Sequence, residues 1–114
     1  MSIEKFEDII AWKKAEELTI IIYSQFKDCR DFSFKDQIQR ASVSIMNNVA
    51  EGFERRTNKE FINFLYIAKG SSGEVRSMLN LALKFKYITQ EQFKKNCDMV
   101  IEISKLLSGF IKSL

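Results

Sequence analysis

The chain has 114 residues, 46% of them hydrophobic, with no proline and only four glycines. That is enough for one core, read here as a single domain over 1–114, and no run of about 18 apolar residues exists to cross a membrane. Eighteen basic residues against 15 acidic leave a net charge of +3, too mild to demand nucleic acid, so the placement of charge must decide.

Met1 to Glu7 reads as a short lead-in without the basic-then-apolar order of a signal peptide, which predicts a cytoplasmic protein. A first helix follows from about Asp8, as N-cap, to Phe26 or Cys29, with Ala11, Ala15, Leu18, Ile22 and Phe26 inward. Thr19 to Tyr23 is β-branched and strand-like, but the helical pattern around it is longer and no partner strand exists. Asp28 to Ser33 is a polar turn. Ser33 is the candidate cap of a second helix over about Phe34–Glu54.

In that second helix Ile38, Ser42, Ile45, Val49 and Phe53 share one face. Arg40, Ser44, Asn47 and Glu51 line the opposite side. Short polar groups between opposite charges suit a second packed surface, and they equally suit a solvated stripe. Gly52 either lets two helices approach or relaxes the final turn.

Thr57 to Glu60 has the form of a capping box and opens a third helix running to about Phe85. Phe61, Phe64, Leu65, Ala68, Ser72, Val75, Leu79, Ala82 and Leu83 give it a bundle-type seam. Gly70 and Gly73 each cost roughly 1 kcal/mol against alanine, which predicts close approach of a neighbouring backbone. A second apolar strip, Ile67, Met78 and Leu81 with Gly70 between, is turned from the seam. It reads as an oligomer interface or as a widened core face.

Thr89 to Gln92 approximates another capping box. It opens a fourth helix with the stripe Phe93, Cys97, Val100, Ser104, Leu107, Ile111 and Leu114. Short loops between long helices predict an all-α, antiparallel up-down-up-down four-helix bundle.

Catalysis finds little support. There is no histidine, so the commonest general base and the Glu-x-x-His pair of di-iron bundles are both missing. Two distant cysteines do not make a zinc site; Cys29 is expected to close the first helix and Cys97 to be a buried thiol. Gly70-Ser-Ser-Gly73 lacks the Lys and the preceding strand of a phosphate loop. No catalytic, cofactor-binding or metal-ligating residue is therefore assigned. The basic residues are more telling. Lys59, Tyr66, Lys69, Arg76 and Lys84 share an outward face of the third helix, and Arg55 and Arg56 stand just before it. Such a stripe with an interleaved tyrosine suits a phosphate backbone and one stacked base, against the plainer reading of a solvated helix face.

Three segments resemble a known family: Arg40-Ala41, Ser44-Ile45, Asn48, Ala50-Glu-Gly-Phe53 and Arg55-Arg56; Phe6 to Ala15; and Glu60 to Glu74. The chain is similar to the bacterial 23S rRNA intervening sequence proteins over nearly its whole length, with Met46 where that pattern has proline. The resemblance implies a four-helix bundle, a homopentameric barrel and nucleic-acid binding through a basic surface, with RNA favoured over DNA. The similar accessory proteins of diversity-generating retroelements work with a reverse transcriptase. The alternative expectation is therefore a protein-interaction adaptor with a polymerase partner. A vestigial product without a partner is the third.

Overall fold

The computed structural model describes residues 3–114, so the lead-in expected at Met1 and Ser2 lies outside the described residues. A 3-10 turn, Phe6–Asp8, precedes four helices: α1 (Ile10–Gln25), α2 (Phe32–Phe53), α3 (Asn58–Lys84) and α4 (Gln90–Ser113). Among the described residues there is no strand, and Thr19 to Tyr23 is helical. There the Thr19 hydroxyl lies 2.8 Å from the Ala15 carbonyl and 3.2 Å from that of Ser42, tying α1 to α2.

The helix starts correct two expectations. Asp8 does not cap α1; it belongs to the 3-10 turn, and the N-cap position falls to Ile9, which offers no side-chain bond. Ser33 does not cap α2 either. Oδ1 of Asp31 accepts the Phe34 N–H at 3.2 Å, so α2 begins earlier than Ser33 would set it. Thr57 caps α3 through the Glu60 N–H, while the Glu60 carboxylate accepts from the Thr57 hydroxyl at 3.2 Å rather than from its backbone. The full reciprocal box is at Thr89 and Gln92, both bonds 3.0 Å. Cys29 lies in the turn beyond α1, which ends at Gln25.

Each helix packs on the next and α4 also packs on α1, while α1 and α3, and α2 and α4, face each other diagonally with no Cα atoms within 8 Å. The 27 residues of α3 rise about 40 Å and set the long dimension of a 43 × 22 × 19 Å molecule. Leu18, Ile22, Phe26, Ile38, Ile45, Leu65, Leu79, Ile103 and Leu107 are wholly buried in one cluster. Such side chains contribute roughly 1.5–3 kcal/mol each. On α4 Cys97, Val100 and Leu107 are buried as their spacing predicts and Asn96 and Ile103 join them, while Phe93, Ser104 and Ile111 are only half-buried and Leu114 is exposed. Asn96 is tolerated inside because its amide donates to Oε1 of Gln25 at 2.6 Å.

The glycines also depart from expectation. A Cβ at Gly70 or Gly73 would meet nothing within 4 Å, so neither marks a close approach inside the chain. Gly52 does: a Cβ there would stand 2.7 Å from the Phe64 Cβ and 2.9 Å from Phe61 Cδ1. Aromatic side chains fill both ends of the bundle. Phe34 meets Phe26, Phe85 and Tyr87 at one end, and Phe61 meets Phe53 and Phe110 at the other.

Candidate nucleic-acid interface

Lys59, Tyr66, Arg76 and Lys84 are exposed on α3, and Lys69 is half-buried. The spacing that groups them is helical, and the apolar seam on the other side fixes them outward. Tyr66 is 57% exposed, open to a stacking partner. Lys69 and Arg76 line a groove of about 310 Å³ between α3 and α4, with Ser72 and Gly73 from α3. From α4 the groove takes Val100, Ile101, Ser104 and Lys105. Ser72 spends its hydroxyl on the Lys69 carbonyl at 2.6 Å, and the Asn80 amide donates to the Arg76 carbonyl at 3.0 Å.

Among the described residues Lys59, Lys69, Arg76, Lys84 and Lys105 form no ion pair. Glu74 accepts from Gln37 at 3.4 Å, which holds its carboxylate on the α2 side of α3. On α4, Asp98 is paired with Lys94 at 3.3 Å, and Glu102 with Lys14 of α1 at 3.9 Å. Arg76 also reaches α4 electrostatically. Burial pushes the Cys97 thiol up, and the Arg76 guanidinium partly opposes it.

The two arginines before α3 stand apart from the α3–α4 groove. The Arg55 guanidinium pairs with Glu51 at 2.9 Å and stacks on the Phe64 ring at 4.7 Å. Both arginines line a hollow at the end of the bundle with Asn58, Phe110 and Ser113. Neither is brought to the α3–α4 groove.

The polar line of α2 divides. Arg40, Asn47 and Glu51 are exposed, and Glu51 pairs with Arg55 rather than Arg40. Ser44 alone packs: its hydroxyl shares a 2.9 Å bond with Ser71 of α3, and the Asn48 amide donates to its carbonyl at 2.8 Å. The second apolar strip of α3 needs one correction. Met78 is 9% exposed and lies in the core, because its long flexible side chain turns inward from the border of the seam. Ile67 and Leu81 remain 52% and 42% exposed, Gly70 is open, and Phe85, one turn beyond Leu81, joins them.

Lys105 and Phe85 are the residues that sequence reasoning missed. The flank of α4 that faces α3 is a tertiary property, and Lys105 stands one turn after Glu102 in the chain. In the sequence Phe85 reads only as a helix end. Among the described residues no three Cys, Asp or Glu side chains form a metal-binding group, and no helix is long and apolar enough to cross a membrane.

Fold and surface together define a class: a four-helix bundle with a cationic groove between two helices and an apolar strip beside it. The chain belongs to the 23S rRNA-intervening sequence protein family, whose model matches residues 7–109. Among solved structures it is similar to a protein of unknown function from the S23 ribosomal protein family of Bacteroides thetaiotaomicron. The two share 31% identity, with a TM-score of 0.84 over 90% of this chain and 99% of that one. Among curated proteins none matches.

Proposed function

We propose that this protein is a non-catalytic, cytoplasmic, RNA-binding bundle that assembles as a ring of identical copies, with five as the expected number. The observation that carries the reading is the α3 face, where Lys59, Lys69, Arg76 and Lys84 form no ion pair among the described residues and stand beside an exposed Tyr66. Phosphate binding needs such cations, and a free ring adds a sequence-tolerant stacking surface. The family description, which refers to an intervening sequence of 23S rRNA, favours RNA over DNA.

The helices are best read as antiparallel, in up-down-up-down order. Phe61 at the start of α3 stacks near Phe53 at the end of α2, and Tyr87 beyond α3 bonds Asp31 before α2. The strip of Ile67, Leu81 and Phe85 supports self-assembly, since clustered exposed apolar residues mark interfaces. Copies of a weak cationic site on one ring then act together through effective concentration.

The same apolar strip favours a second reading, an adaptor for another polypeptide such as a reverse transcriptase. Titration of single-stranded RNA across a salt series separates the two. RNA binding weakens with a log–log slope of about −0.7 per phosphate contacted. An adaptor binds RNA feebly at every salt concentration, and its apolar interface responds far less to salt.

A further inference from the structure

Lys105 was not part of the α3 stripe, yet it closes the groove that Lys69 and Arg76 open. We infer that the α3–α4 groove is the track for a single RNA strand, with Lys105 of α4 as a phosphate-contacting residue and Gly73 as the place where the strand comes closest to the protein. This deepens the RNA-binding reading and rests on it.

Three observations carry it. Lys69 and Arg76 stand two turns apart on α3, about 10 Å along the axis, and Lys105 faces them from the other helix. That separation is within about one Debye length at 0.1 M salt, so the three fields overlap on one short stretch of backbone. Among the described residues Lys105 forms no ion pair, although Asp98 and Glu102, paired with Lys94 and Lys14, line a neighbouring hollow with it. Gly73 lies in the groove and a Cβ there would meet nothing within 4 Å, although glycine is unfavourable inside a helix. No contact within the chain explains that glycine; a ligand lying in the groove does.

A single strand fits better than a duplex. Tyr66 precedes Lys69 by one helical turn and is exposed, so a base leaving the groove can stack on it. Paired bases in a duplex are already stacked and withdrawn from such a ring.

The test uses the full chain, a fluorescein-labelled oligouridine and an RNA duplex of the same length. Lys105→Gln should weaken oligouridine binding and make the salt slope shallower by about 0.7. Lys13→Gln removes the same charge from α1, which does not line the groove, and should bind as wild type does. Gly73→Leu should keep or raise the melting temperature while losing oligouridine. If Lys105→Gln binds like Lys13→Gln while wild type binds well, the groove assignment is wrong and the RNA reading survives. Duplex bound more tightly than oligouridine also overturns the single-strand track. A wild type that binds neither RNA overturns both readings.

Discussion

The Tyr87 hydroxyl donates to Oδ2 of Asp31 at 2.7 Å, across 56 residues of sequence, while Oδ1 of the same carboxylate caps α2 at the Phe34 N–H. One side chain thus starts a helix and ties it to the turn after α3. The bond to Asp31 raises the Tyr87 hydroxyl above its usual 10.0, aided by partial burial and by the charges of Asp31 and Cys29. An acid whose folded value is raised contributes stability that is fully present below 10.0 and is lost as pH climbs through the raised value. Tyr87→Phe should lower the melting temperature at pH 7 and flatten the loss of stability above pH 10. Parallel alkaline profiles for both proteins would show that the bond is not made. Asp31→Ala should cost more, adding the loss of a cap worth about 1 kcal/mol.

Lys86 holds Tyr87 in place at a conformational cost. It is the sole non-glycine residue with positive φ among those described, at 63°. Its N–H bonds the Leu83 carbonyl at 3.0 Å and that of Tyr87 bonds Ala82 at 2.9 Å, a Schellman ending of α3. Lys86→Gly should stabilise the fold by about 1 kcal/mol, read as a rise of a few degrees in melting temperature.

Gly52 and Gly70 should respond in opposite ways. Gly52→Ala drives a Cβ against Phe64 and Phe61 and should destabilise by roughly 1–3 kcal/mol, more than the helix-propensity gain of about 1 kcal/mol. Gly70→Ala has open space around it and should keep the propensity gain. Chemical denaturation of the two variants checks both signs. A stabilised Gly52→Ala would mean that α2 and α3 shift apart at no cost.

Assembly has its own test. Light scattering at micromolar concentration should give about five protomer masses. Ile67→Asp or Leu81→Asp should give monomers that keep their helicity, because an unpaired charge in an apolar interface is costly. A monomeric wild type would end the ring reading.

Much of this was legible in the residues. Periodicity located all four helices, and Thr57 and Thr89 capped where their side chains predict, because capping is decided within a turn of chain. What escaped was settled across the bundle. Asn96 reads as surface until Gln25 is opposite it. Asp31 outcompetes Ser33 as a cap through a carboxylate that also holds Tyr87, which no local pattern contains. A glycine's spacing does not reveal its neighbour: close approach is expected at Gly70 and Gly73 and stays one of two readings at Gly52, yet it occurs at Gly52 and at neither of the others. The α3 half of the cationic site followed from helical spacing. Its α4 half, Lys105, depended on which flank of α4 turns to α3.

RNA affinity of wild type and the Lys69→Gln/Arg76→Gln double variant, measured at two salt concentrations with circular dichroism as control, tests RNA binding most directly. Both side chains lie outside the core and form no ion pair among the described residues, so the helical signal should not change. Wild type should bind single-stranded RNA at low salt. The double variant should bind more weakly, with a log–log salt slope shallower by about 1.4 for two lost phosphate contacts. Equal affinities at both concentrations, or no wild-type binding at low salt, would contradict RNA binding through this face and leave the adaptor reading in its place.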